Sequence, residues 1–176
     1  MANSRQLDFL IRLTAHLEGI VPANGYDFDL TGKVFRGRRV FGADDPDPLL
    51  SVVEHLSADV TLDTAGENRT SRSETWVLLV QGWARVINEH PTDLLYNLKA
   101  ATEHRLARTI QTNGGGGPMY PQEYFLGLHR KNVTMLTIGP GVVSAPTSAD
   151  SSMRSFFYLP LGVGWASDVC DPFVEG

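Results

Sequence analysis

Cysteine is nearly absent from this chain. Cys170 stands alone among 176 residues, so neither a disulfide framework nor a cysteine-built zinc site can form within it. Long apolar runs are missing too: no stretch reaches 18 apolar residues, so no membrane-spanning helix is expected. The start, MANSRQLDFLIRLTAHL, has neither the continuous apolar segment nor the small-residue cleavage site of a signal peptide. A reducing cytoplasm is the simplest expected setting. Nor is there a basic excess. Lys and Arg number 15 against 20 Asp and Glu, a formal net charge of −5. Compact nucleic-acid binders carry a basic balance, so affinity for a phosphate backbone is not expected as the main task.

Catalytic patterns are also missing. His16, His55, His90, His104 and His129 fall into no H-x-x-x-H, H-E-x-x-H or facial His/carboxylate arrangement. Glu54-His55 and Glu103-His104 are sequence neighbours, and adjacent residues on a strand or helix point apart. No G-x-S-x-G elbow occurs. The run Gly114–Gly117 lacks the Lys-Ser/Thr that completes a phosphate loop. Cys170 sits beside Asp168 and Asp171, which discourage a thiolate. Asp44, Asp45 and Asp47 meet no calcium-loop spacing and read as a solvated acidic loop. The expectation is no catalytic residue, no cofactor and no metal.

What is present reads as an ordinary globular core: 42% hydrophobic and 20% charged residues leave enough apolar surface to fold without staples. After a cap at Asn3 or Ser4, the spacing of Leu7, Leu10, Ile11, Leu13, Leu17 and Ile20 predicts an amphipathic helix, with His16 as a core or boundary histidine. Alternation predicts a strand over 26–30 and another over 34–41. A short apolar strand follows over 49–55. The strongest strand pattern is ETWVLLVQGWARVI, 74–87. It is apolar on both faces, hence central or in a subunit interface. Thr92 caps a second helix with a stripe of Leu94, Leu95, Leu98, Ala101, Leu106 and Ile110. Strands are expected over 133–138 and 155–165, the latter at an edge or bulged because Pro160 cannot donate to a ladder. The order α-β-β-β-β-α-loop-β-β predicts an α+β fold: a mixed or antiparallel sheet with two main helices packed on one face. One domain spanning 1–176 is expected, with flexible loops near 61–73, 111–130 and 139–154. Gly114–Gly117 serves either as a floppy connector or as a loop that orders against a partner.

The order of these pieces adds something that none gives alone. A helix precedes Asn24-Gly25-Tyr26 and a strand carrying Val34-Phe35-Arg36-Gly37. The strand Val77-Leu78-Leu79-Val80-Gln81-Gly82-Trp83 leads into Glu89-His90-Pro91-Thr92-Asp93 and an amphipathic helix. The chain closes with Phe156-Phe157-Tyr158-Leu159-Pro160 and Asp171-Pro172. This set, over roughly residues 4 to 172, resembles the tail terminator (tail completion) proteins of long-tailed bacteriophages. The Gly-rich insertion at 111–130 has no counterpart in that pattern.

The resemblance implies a virion assembly factor rather than an enzyme: a hexameric ring that caps the tail tube, halts its polymerisation and offers a surface to head-completion (neck) proteins. It implies an α+β fold, synthesis in the host bacterial cytoplasm and residence at the tail–neck junction. The implied partners are further copies of itself, the major tail tube protein and a neck protein, with DNA passing through the lumen unbound and no membrane involved. A chain of this length has a radius of gyration near ~16 Å, so six in a ring would leave a hole of about 40 Å. An acidic ring would let DNA slide rather than stick. Arginines and aromatics anchor interfaces, which makes Arg36, Arg38, Trp83 and Arg85 candidates for the ring seam and Arg69, Arg72, Tyr120, Tyr124 and Phe125 candidates for partner-facing loops. Trp83 as core filler, and Arg36 and Arg38 as a solvated strand face, are the plainer alternatives. Competing functions are another tail-tube or head–tail connector component and a small enzyme of unknown type.

Overall fold

The structure, a computed structural model, describes residues 2–55, 69–86, 89–129, 131–146 and 154–174. Among these, the element order is α1 (Arg5–Glu18), β1 (Val34–Arg36), β2 (Leu49–Glu54), β3 (Ser71–Arg85), α2 (Asp93–Ala107), β4 (Val133–Ile138), β5 (Val142–Ser144) and β6 (Arg154–Asp168). The strands form one sheet in the order β1-β2-β3-β6-β4, with β5 also paired to β6. β1 runs parallel to β2 and every other pair is antiparallel. The expected α+β class with a mixed sheet is what the chain adopts.

Its centre is the 15-residue pairing of β3 with β6, from Ser71↔Asp168 to Arg85↔Arg154. Leu78, Val80 and Ala84 of β3 and Phe157, Leu159, Leu161, Val163 and Trp165 of β6 are buried, in one cluster with Phe9, Leu13 and Leu17 of α1 and Leu95, Leu98 and Leu106 of α2. This is the helix-covered face. Trp165 meets Phe9 and Trp76 edge-on there at 6.0 and 5.8 Å, geometry that aromatic quadrupoles favour, and Phe9 and Trp76 lie tilted at 5.7 Å. Gly82 has a steric reason to be glycine: a β-carbon would lie 2.1 Å from Cε1 of Phe157.

Ser4 caps α1, its Oγ accepting the Leu7 N–H at 3.2 Å. Thr92 precedes α2 with a helical backbone and no side-chain hydrogen bond to it, so the expected cap there is not formed. Asp93 in the first turn of α2 complements the helix dipole instead.

Several expected boundaries move. Residues 26–30 form no strand. Phe28 packs against the core and Leu30 is buried, but the Leu30 N–H goes to the Ile20 carbonyl at 3.0 Å and the Thr31 N–H to Asp29 Oδ1 at 3.0 Å; the alternation marked burial without a pairing partner. The second expected strand stops at Arg36 because Gly37 takes φ 68, a left-handed turn open to glycine. The first strand of the central pair begins at Ser71, inside the expected 61–73 loop; positions 61–68 lie outside the described residues. The 139–154 loop contains β5. Pro160 lies in an inner strand rather than at an edge. Its carbonyl accepts the Gly139 N–H at 2.8 Å, and an antiparallel residue directs N and C=O to the same side. The missing donor therefore faces the gap where β4 gives way to β5, and the β3 side of the ladder is intact.

Between α2 and β4 the chain first makes a tight hairpin. Asn113 Oδ1 accepts the Gly115 and Gly117 N–H groups at 3.0 and 3.1 Å, and its own N–H reaches the Gly117 carbonyl at 2.7 Å. The glycine run is thus the tip of a hydrogen-bonded turn. Next come Phe125 (φ 48), Leu126 (φ 55) and Gly127 (φ 74), three successive left-handed residues. For the two non-glycine residues that conformation costs about 1–2 kcal/mol each.

Candidate functional site

The face of the sheet away from the helices has two parts. One end is covered by residues 37–48, which leave β1 at Gly37 and fold back as a strap. Ser51 Oγ donates to the Arg38 carbonyl at 2.5 Å and Phe41 is buried. Phe35, Phe41, Trp83 and Phe156 form a ladder of rings with successive centroids 5.7, 5.7 and 5.1 Å apart. Arg154, fully buried at the end of β6, donates to the carbonyls of Gly42, Asp45 and Pro46 at 3.0, 3.0 and 3.1 Å, with Asp47 Oδ1 at 3.7 Å.

The other part is open. Register places Val142, Tyr158 and Gln81 in one row across β5, β6 and β3, and Pro160 beside Leu79, Gly162 beside Val77 and Gly164 beside Met135. Tyr158, Met135 and Val142 are 36%, 44% and 49% exposed. Val77, Leu79 and Pro160 are half-buried. Gln81 Oε1 and Trp83 Nε1, at the border with the strap, are buried without a hydrogen-bond partner among the described residues. The result is a largely apolar, partly glycine-floored surface, broken by exposed Thr137 beside Gly162, with an unused acceptor and donor along one margin.

Of the seam candidates, the structure brings Arg38, Trp83 and Arg85 together around the strap. Arg38 pairs with Asp45 at 2.7 Å and lies over the Phe35 and Phe41 rings at 5.2 and 4.8 Å. The Arg85 N–H donates to Asp47 Oδ1 at 2.9 Å and its guanidinium to the Ala43 carbonyl. Arg36 is apart from them, reaching Thr14 Oγ1 of α1 at 2.8 Å. Arg72 is not in a loop. It lies in β3, at the end opposite Arg85, with Nε 3.3 Å from Ser167 Oγ; Arg69 is exposed just before β3, its Nε 3.3 Å from Ser71 Oγ. Nor does Phe125 face outward. It is 8% exposed, stacked on the half-buried Tyr124 at 4.5 Å, because the left-handed turn aims it at the core. Tyr120 lies 4.0 Å beneath the Arg108 guanidinium.

Sequence reasoning missed a polar cluster at the junction of the helices. Glu123 accepts from Nε and Nη2 of Arg108 at 2.9 and 2.7 Å, with Arg105 at 3.4 Å and His16 Nδ1 at 3.6 Å. His16 Nε2 meets the Arg105 carbonyl at 2.8 Å, and Arg105 Nε donates to the His16 carbonyl at the same distance. The Arg108 hydrogen bonds hold the Glu123 carboxyl below its ordinary range. Burial above all lowers His16 from 6.5 to about 4, so it is neutral at pH 7. Half-buried Tyr26 and exposed His104, 3.1 Å apart, flank this cluster. Residues 89 positions apart meet in it, which no sequence spacing announces.

The unfolded chain thus binds a proton that folded His16 refuses between pH 6.5 and about 4. Its contribution to stability is complete above pH 6.5 and is lost as pH falls through that window. Stability in urea should drop by about 2 kcal/mol between pH 7.5 and 5 from this group, above the range in which Glu123 titrates. His16→Gln, which keeps a donor for the Arg105 carbonyl, should remove most of that slope. A wild-type urea midpoint that does not move over this range would refute the neutral buried assignment.

Among the described residues there is no group of three or more His, Cys, Asp or Glu placed to hold a metal, and no helix long and apolar enough to cross a membrane. A cleft of about 430 Å³ mixes Arg5, Arg72 and Lys131 with Asp168 and Asp171, and Arg5 is already paired with Asp171. The class defined by these features is an α+β protein with one sheet face under helices and the other half open. No protein-family model matches the chain, and no curated protein matches it. Among solved structures, it is similar to a chain in the virion of a native gene transfer agent particle, with a TM-score of 0.46 and 8% identity over 93% of this chain and 96% of that one. A likeness of that strength assigns no function.

Proposed function

We propose that this protein is a non-enzymatic structural component of a phage tail, specifically the terminator. In this reading it closes as a hexameric ring on the tip of the tail tube, stops addition of tube subunits and presents its far side to a neck protein at the tail–neck junction. The ordered motif set in the sequence supports the reading. The observation that carries it is the open half of the second sheet face. Tyr158, Met135 and Val142, with Val77, Leu79 and Pro160 beside them, form a largely apolar surface, broken by Thr137 and Gln81, of the kind that marks association sites. A cyclic ring also needs heterologous side contacts and two unlike faces, and among the described residues both α1 and α2 lie on one side of the sheet, which makes its two sides unlike. The net charge of −5 per chain would leave DNA free to pass.

The test is electron microscopy of particles from a host in which the gene is deleted, complemented in parallel with wild-type protein and with Tyr158→Glu. Deletion should give overlong tails without heads. Wild type should restore normal particles, and Tyr158→Glu, whose charge lands on the open face, should fail to do so while its stability from urea unfolding stays within about 0.5 kcal/mol of wild type. Normal tails joined to full heads in the deletion would overturn the reading.

A further inference from the structure

The left-handed turn at Phe125–Gly127 has a feature that the assembly reading does not use. Three successive residues occupy left-handed backbone space, two of them large apolar residues. L-residues visit that region singly and unwillingly, and such strain persists only where the surroundings enforce it. The enforcing contacts are few and local. Phe125, Leu126 and Leu128 are buried in the cluster that includes Phe9, Leu13 and Leu17 of α1. The Phe125 N–H donates to the Thr109 carbonyl at 2.8 Å, and Arg12 Nη1 donates to the Leu126 carbonyl at 3.4 Å. Glu123, two residues upstream, is gripped by Arg108 and Arg105 of the α2 end, and His16 of α1 faces it at 3.6 Å. Tyr120 is held under Arg108. Nearly every contact named here ends on α1, on α2 or just beyond it. On the sheet side the segment adjoins β4, through the bridge His129↔Val133, the turn that leads into that strand and the burial of its apolar side chains in one cluster with Val133 and Leu136; none of the named hydrogen bonds ties it to β3 or β6.

We infer that residues 119–129 form a strained clip that detaches from α1 and the end of α2 as one unit while the β3–β6 pairing stays closed. The three buried apolar side chains and the Glu123 grip hold the clip shut; the left-handed turn works against them. Proteins open in cooperative pieces of unequal stability, and a segment with strained backbone and no ladder belongs at the weak end. The hairpin Gln111–Met119, closed on itself through Asn113, gives the clip a compact hinge on one side.

Native-state hydrogen exchange of the full chain, read residue by residue at pH 7, tests this. The amides of Phe125, Leu126 and Leu128 should exchange at least about 100-fold faster than those of Leu78, Val80 and Leu161. Glu123→Gln should speed the clip amides about tenfold more and leave the sheet amides unchanged. Exchange of the clip in step with the sheet would overturn the inference. The strain has its own readout in the pair Leu126→Gly and Leu126→Ala, which lose the same burial to within a methyl group. Elsewhere glycine loosens a chain relative to alanine; at a left-handed position the order reverses. Leu126→Gly should therefore hold the clip closed about fivefold more often than Leu126→Ala. Equal or faster clip exchange in the glycine variant would remove the strain and the clip with it.

Discussion

Gly82→Ala should destabilise the protein by about 2–3 kcal/mol, a large penalty for one methyl group on a strand. The new carbon would lie 2.1, 2.5 and 2.8 Å from Cε1, Cζ and Cδ1 of Phe157, the residue directly across the ladder. Phe157 is fully buried in the helix-covered core, so its ring has no solvent to swing into, and relief requires either an off-rotamer ring or a shift of β6 against β3. The pairing therefore predicts a specific rescue. Phe157→Leu alone should cost about 1–1.5 kcal/mol, as shape changes in a core do. Combined with Gly82→Ala it should recover more than half of the glycine variant's loss, a coupling visible in a double-mutant cycle. Urea midpoints of the four proteins decide it; strictly additive losses would mean that the ring is not what excludes a side chain at position 82.

Arg154→Met should cost about 3–5 kcal/mol, the range for breaking a buried charged hydrogen-bond network from one side. Methionine roughly fills the volume but leaves the carbonyls of Gly42, Asp45 and Pro46 without their donor. Arg154→Lys should fall between, because an ammonium keeps the charge but lacks the planar fork that reaches three acceptors. The damage should be local first. With its anchor gone the strap should lift Phe41 from Trp83, and Trp83 emission should shift to the red before global unfolding. A strap that stays seated, read from an unchanged Trp83 spectrum in a variant that has lost the full 3 kcal/mol or so, would place the role of Arg154 in the sheet end instead.

Much of the fold could be read from residue patterns. The stripe on α1, the two-faced apolar run of β3 and the late strand ending near Trp165 each carry a strong period, and each is where the pattern places it. The failures have one cause: periodicity reports burial, and burial does not require a strand. Phe28 and Leu30 are half-buried and buried without pairing, and Phe41 is buried in a strap after Gly37 has turned the chain. Phe125 shows the converse, a ring that loop chemistry places outside and a left-handed turn carries inside. The seam candidates were legible in part. Arg38, Trp83 and Arg85 converge because β3 delivers two of them beside the strap that holds the third. Arg36 diverges because it alternates with Phe35 and so points to the helix side. Gln81 and Tyr158, which sit side by side on the open face, are far apart in sequence, and only the β3–β6 register joins them.

That same register sets how the chain can reach its native state. Every rung of the central ladder joins residues roughly 70 to 100 positions apart, so the core pair cannot form from neighbouring segments. Domains dominated by such distant pairings fold in milliseconds to seconds rather than microseconds. Until β6 arrives, β3 waits with apolar residues on both faces and the whole edge opposite β2 unpaired, a form of chain prone to pair with a wrong neighbour. Its polar residues then acquire a second meaning: Gln81 interrupts the run from Trp76 to Ala84, and Arg72 and Arg85 flank it, with side chains that a misassembled stack of copies would have to desolvate. Variants that remove those three polar groups should express mainly as aggregate even where the folded protein tolerates the change.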